Sequence, residues 1–122
     1  MKPQSNRQQL GKFGEDFATS YLRREGYAII HRNFKARYGE IDIIALYGEI
    51  TVFVEVKTRS DRSFGSPEEA VTPRKLHEVV ETADFFMSIH KELPRSMRID
   101  VIAIETDGTK VLSFNHIQNV TM

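Results

Sequence analysis

Cysteine is absent from the chain, and that one absence removes disulfides, thiolate metal sites and cysteine nucleophiles together. It agrees with a reducing compartment, and a cytoplasmic location is expected. Long apolar runs are missing too. No stretch approaches the roughly 20 residues that a membrane-spanning helix needs. The opening Met1-Lys2-Pro3-Gln4-Ser5 has no apolar segment of the kind a signal peptide carries, so no membrane partner is expected. Charge of one sign is not in excess either. Seventeen Lys/Arg balance seventeen Asp/Glu, which leaves no global pull toward a polyanion. No internal repeat, low-complexity tract or linker interrupts the pattern.

What is present is the composition of an ordinary folded protein, 40% hydrophobic and 28% charged. A length of 122 residues suits one domain, expected over residues 1–122, able to bury roughly two thirds of its unfolded surface. The balanced charge hides an asymmetry. Residues 1–40 carry eight Lys/Arg against four Asp/Glu, whereas residues 41–122 carry nine against thirteen. The basic half could face nucleic acid, or it could be a solvated surface with a chance imbalance.

The spacing predicts a helix over residues 7–25. Ser5 with Gln8 resembles a capping box, and Leu10, Phe13, Gly14, Phe17, Ala18, Tyr21 and Leu22 form one helical stripe. Gly26 supplies a left-handed stop. Three strands are expected next, over residues 27–34, 40–46 and 50–59. In the third, Ile50, Val52, Val54 and Val56 alternate with Thr51, Phe53, Glu55 and Lys57. A loop occupies residues 60–67. Thr72-Pro73 opens a second helix, whose apolar stripe is Leu76, Val79, Val80, Ala83 and Met87 and whose end is marked by Pro94. A fourth strand over residues 97–104, a hairpin signal at Asp107-Gly108 and a fifth strand over residues 110–116 complete the chain. The long third-to-fourth-strand connection permits a parallel crossover. The expected architecture is α/β, a mixed sheet covered by helices.

The informative segment is Glu40-Ile41-Asp42 followed by Glu55-Val56-Lys57. If Gly48-Glu49 is a two-residue hairpin loop, Tyr47 faces Ile50. The same register sets Asp42 opposite Glu55 and Glu40 opposite Lys57. Opposed side chains share a face, with Cβ atoms about 4.5–5.5 Å apart. Two carboxylates so placed repel, and a divalent cation compensates. Mg²⁺ takes one or two carboxylates plus water and phosphate. Lys57 follows on the same face, placed to orient water or neutralise charge on a phosphodiester. Glu15, at the border of the first helix's apolar stripe, can lean toward Asp42, and Asp16 points away. Plainer readings stand beside these. An E-x-K on a strand is commonly a solvated face or an ion pair, Glu40 could bridge Lys57, and Glu15 could serve the helix dipole. The facing acids are the hardest to explain structurally.

Gly11-Lys12-Phe13-Gly14-Glu15-Asp16, Gly26-Tyr27, Arg32-Asn33-Phe34, Gly39-Glu40-Ile41-Asp42-Ile43-Ile44, Val52-Phe53-Val54-Glu55-Val56-Lys57-Thr58-Arg59, Ala70-Val71-Thr72-Pro73-Arg74-Lys75 and Arg98-Ile99-Asp100-Val101-Ile102-Ala103 together resemble the bacterial YraN-like proteins. That family is regarded as a branch of the PD-(D/E)xK nucleases, related to archaeal Holliday-junction resolvases. The resemblance implies a restriction-endonuclease-like αβββαβ core with an extra C-terminal strand. It implies Asp42 and Glu55 as ligands of Mg²⁺ or Mn²⁺, with the Val56 carbonyl as a further oxygen. Lys57 would be the catalytic lysine and Glu15 the helix carboxylate. Arg59, Arg62, Arg74 and Lys75 are the candidates for contact with nucleic-acid phosphate. Ile41 stands where the motif name has proline. The second helix carries Glu78, Glu81 and Asp84, which weakens it as a surface for gripping DNA.

The expected function is metal-dependent hydrolysis of phosphodiester bonds, in DNA through the resemblance, on branched DNA among other substrates, and in a homodimer by analogy. The rival is a nuclease-like fold that binds nucleic acid or a protein partner without cutting, or serves as a scaffold. His31, His77, His90 and His116 have no ligand spacing. Phe85-Phe86-Met87 reads as core, and Gly11 with Gly14 as close helix packing.

Overall fold

The computed structural model describes residues 6–60 and 65–120. Helix α1 (Asn6–Arg24) is followed by strands β1 (Ala28–Ala36), β2 (Gly39–Tyr47) and β3 (Ile50–Arg59). Then come a short 3₁₀ turn (Glu68–Ala70), helix α2 (Pro73–Ile89), β4 (Ser96–Thr106) and β5 (Val111–Ile117). The strands lie in the order β1-β2-β3-β4-β5. All neighbours are antiparallel except β3 and β4, which are parallel and joined through α2. This is the expected mixed sheet, an αβββαβ core extended by β5. No described helix is long and apolar enough to cross a membrane.

Each face of the sheet is covered by one helix. Ala18 and Leu22 of α1 pack on Ile43, Ala45, Val52, Val54, Val56, Ile102 and Ile104. Val79, Ala83, Phe86 and Met87 of α2 pack on Ile41, Ile44, Phe53 and Ile99. Two buried layers therefore sandwich β2, β3 and β4, which is why these strands read as nearly continuous apolar runs.

The ends of the elements follow local chemistry. Gly26 takes φ 92°; its N–H reaches the Arg23 carbonyl, and Tyr27 N–H reaches Leu22. These two bonds make a Schellman stop for α1. Thr72 caps α2, its Oγ1 accepting from Lys75 N–H at 3.2 Å, with Pro73 at the first helical position. The β4–β5 hairpin turns over four residues. Asp107 Oδ1 accepts from the Thr109 and Lys110 N–H groups, an Asx turn. The Ser5 capping box and residues 61–64 of the expected loop lie outside the described residues.

Candidate metal and phosphodiester site

The β2–β3 hairpin carries the central residues. Its ladder runs from Tyr47↔Ile50 to Ile43↔Val54, the register that a two-residue loop dictates. Gly48 lies at φ 57°, a conformation that an L side chain resists. The ladder stops short of the acids. Instead of another rung, Asp42 Oδ2 accepts the Val56 N–H at 2.8 Å, so a buried backbone donor is satisfied by a side chain. Alternation in β2 breaks at the same place: Ile43 packs with the α1-side cluster, whereas Ile41 and Ile44 both pack with the α2-side cluster. An undisturbed strand would keep residues 41 and 43 on one face. Asp42 therefore occupies a break in the strand and is not a simple cross-strand partner.

Strand β3 shows no such break. Val52, Val54 and Val56 face α1 and Phe53 faces α2, and Glu55 follows Phe53 onto the α2 side. Glu55 is 1% exposed. Two ammonium groups approach one of its oxygens: Lys57 Nζ lies 3.9 Å and Lys75 Nζ 3.7 Å from Oε2. The other oxygen, Oε1, is buried without a hydrogen-bond partner. Burial pushes the Glu55 carboxyl up, Asp42's charge pushes it further, and the lysines oppose; the result is about 8. Asp42 is raised as well, chiefly by burial and against the pull of the Val56 N–H.

Glu15 comes to this cluster from α1. The approach depends on Gly14, where a Cβ would overlap Thr58 Oγ1 of β3; Gly11 has open space around it. Burial and then the charge of Asp42 raise the Glu15 carboxyl, against Arg32 and a hydrogen bond from the Asn33 side chain. Arg32 Nη2 lies 3.8 Å from Glu15 and 2.9 Å from Asp16. Asp16 also pairs with Lys12, which fits its expected outward direction. Asn33 holds φ 55°, a left-handed conformation that asparagine tolerates better than most residues. The pairs Arg32↔Ile43 and Phe34↔Ile41 flank it, which sets it across from Asp42. A cavity of about 570 Å³ lined by Gln8, Gly11, Lys12, Glu15, Arg32 and Asn33 opens beside these groups.

The structure sets Glu15 near Asp42, Asp42 near Glu55 and Lys57 beside Glu55, and it corrects the expected cross-strand register, since Asp42 and Glu55 are not a ladder pair either. The opposition of Glu40 and Lys57 is not formed, because the ladder ends at Ile43↔Val54. Glu40 pairs with Lys35 in the β1–β2 ladder, is exposed, and adds negative charge near Glu15, Asp42 and Glu55. Lys75, a candidate for phosphate contact, stands beside Glu55. Arg74, another, has a side chain 93% exposed and 3.9 Å from Glu78. Arg59 lies next to Glu105 in the β3–β4 register, and its Nε is buried without a partner. Arg62 is outside the described residues. Sequence reasoning assigned no site role to Arg32 or Asn33. The signal available was an asparagine inside a run of strand formers.

Among the described residues no group of three or more His, Asp and Glu side chains is placed to hold a metal. Glu15 is engaged by Arg32 and Asn33 and so does not close a three-acid cage. The remaining donors are two carboxylates and the Val56 carbonyl. They suit an ion such as Mg²⁺ or Mn²⁺ that keeps several waters, and the partnerless Glu55 Oε1 is an oxygen of the kind such an ion takes.

A family model described as "Uncharacterised protein family UPF0102" matches residues 14–104. The chain is 43% identical over 111 residues to a UPF0102 protein of Syntrophomonas wolfei, covering 91% of this chain and 96% of that one. It is 41% identical over 115 residues to one of Caldicellulosiruptor saccharolyticus, covering 93% and 98%. A UPF0102 protein of Clostridium perfringens is 44% identical over 95 residues, 78% of each chain.

Proposed function

Since the chain belongs to the UPF0102 family, whose name carries no activity, we propose from its site that it hydrolyses phosphodiester bonds, with DNA as substrate and Mg²⁺ or Mn²⁺ as cofactor. One observation carries this reading. A glutamate that is 1% exposed keeps one oxygen partnerless beside a second acid and two lysines. Folding gains nothing from it: a buried carboxyl without full hydrogen bonding costs stability.

Asp42, Glu55 and the Val56 carbonyl would hold the ion. When bound, it supplies Lewis-acid polarisation of the phosphate and a lowered pKa for water. The protein's own groups do the rest. Lys57 Nζ presents positive charge on the same strand face and stabilises charge that develops on the phosphate oxygens. Glu15, whose carboxyl burial raises, would orient water through its carboxylate, with Arg32 3.8 Å away. Arg59, Arg62 and Arg74 would meet backbone phosphates.

The second reading is a nuclease-like module that binds without cutting. It is favoured by the two ammonium groups already on Glu55 and by Glu78, Glu81 and Asp84 on α2. Incubation with linear, nicked and branched DNA in Mg²⁺ or Mn²⁺ separates the two. Cleavage is expected, lost by roughly 10²-fold or more in Asp42→Ala and Lys57→Ala with melting temperature retained. Absence of cutting together with salt-sensitive DNA binding would establish the module instead.

A further inference from the structure

Lys75 is an odd residue for its position. It is the third residue of α2, behind a Thr cap and Pro73. There a Glu or Gln would complete a capping box, and the helix dipole disfavours a cation. The first turn of α2 contains no acid. Lys75 instead reaches into the sheet, to Glu55 Oε2 at 3.7 Å, where Lys57 already stands at 3.9 Å. Two like charges share one carboxylate oxygen while the other oxygen has no partner. Together the ammonium groups supply the charge of a dication.

We infer that Lys75 is the exchangeable counter-ion of this site: it holds Glu55 while the site is empty of metal and moves to a nucleic-acid phosphate when a divalent ion binds. The inference rests on the metal-site reading above. The two lysine side chains are equally exposed, 26% each, and they differ in where they are mounted. Lys57 rises from a strand paired with β4, whereas Lys75 stands in the first turn of α2 behind exposed Thr72, Pro73 and Arg74, which gives it the route outward. A flexible four-carbon stem suits such a swing. By linkage, anything that draws Lys75 off Glu55 strengthens metal binding, and metal strengthens phosphate binding by the same factor. Metal and nucleic acid therefore bind with positive coupling, and α2 transmits it.

Calorimetric titration with Mn²⁺ tests this without reading turnover. Wild type, Lys75→Met, Lys75→Arg and Glu55→Gln are each titrated alone and with a short phosphorothioate DNA duplex, after melting curves show that each is folded. Lys75→Met alone is expected to bind Mn²⁺ about tenfold more tightly than wild type, within the usual range of coupling between sites. The duplex is expected to tighten the wild type by a similar factor, to leave Lys75→Met unchanged, and to act on Lys75→Arg as on wild type. Lys75→Gln replaces Lys75→Met should the latter not fold. If wild type binds Mn²⁺ through Glu55 but the Met variant binds equally or more weakly, the counter-ion role is overturned and the metal site stands. If neither binds Mn²⁺, both fall.

Discussion

Glu55 shows how a buried, partly unpaired acid weakens the fold that holds it. Its carboxyl titrates at about 8 in the folded chain, against about 4.3 when unfolded. Between those values the folded state binds more protons than the unfolded state, so metal-free stability falls as pH rises through that window. Glu55→Gln removes the titration. Melting temperatures should coincide for variant and wild type near pH 4, and the variant should melt several degrees higher at pH 8 in EDTA. A wild type whose melting temperature climbs from pH 5 to pH 8 relative to the variant would show that Glu55 is ionised and satisfied without metal. Saturating Mn²⁺ should reverse the order at pH 8, because only the wild type gains from the ion. The sequence already displayed this residue, since the E-x-K pattern with its alternating valines fixes strand, face and spacing. It did not display Lys75 beside it. That contact joins residues 20 apart on elements whose mutual packing no local pattern encodes.

At the scale of elements, the site depends on how closely α1 approaches β3 and on where β2 parts from β3. The first was legible as a glycine in a helical stripe, although the pattern did not distinguish Gly14, where a side chain would overlap Thr58, from Gly11, where a Cβ would meet nothing within 4 Å. The second was only half legible. The Gly48-Glu49 turn set the register, and the observed pairs follow it. The end of the ladder before Asp42 follows from a side chain taking a backbone donor, and from a left-handed Asn33 in β1. Neither has a periodic signature. Gly14→Ala tests the helix contact. The added methyl displaces α1 from Thr58, with a cost on the order of 1–3 kcal/mol, and draws Glu15 away from Asp42. Any DNA cleavage should fall more than the loss of folded protein explains. Gly11→Ala should be neutral or slightly stabilising, as expected of an unobstructed helical position. Equal effects of the two substitutions in chemical denaturation would show that the Thr58 contact does not set the position of α1.

Across the whole molecule, a second buried acid works in the opposite sense to Glu55. Asp100 of β4 is fully buried and takes hydrogen bonds from Arg98 at 2.9 and 3.0 Å and from Asn119 N–H. His116 Nε2 donates to it at 2.8 Å, and His116 Nδ1 meets the Tyr21 hydroxyl of α1 at 2.8 Å. Arg98 also donates to the Tyr27 hydroxyl. The network joins β4, β5, α1 and Tyr27 just before β1, so it ties the edge strand β5 to its neighbour and to α1. Burial pushes the Asp100 carboxyl up, but the His116, Arg98 and Asn119 bonds together outweigh it, and the net direction is down. A depressed folded value means that its stabilisation is present above the unfolded value of about 3.9 and is lost as pH falls through the folded one. Asp100→Asn leaves the Arg98 charge buried and poorly paired, at a cost of about 3–5 kcal/mol. That cost should be full at pH 5 and above and shrink toward pH 2, read from denaturation midpoints across pH. With Glu55 weakening the fold as pH rises and Asp100 weakening it as pH falls, the metal-free protein should be most stable near pH 4–5, between the two titrations. Asp100→Asn should flatten the acid side of that profile and Glu55→Gln the alkaline side. A wild-type optimum at pH 7–8 in EDTA would mean that Lys57 and Lys75 compensate Glu55 and Asp42 completely, with none of the residual cost of burial left for a bound cation to relieve.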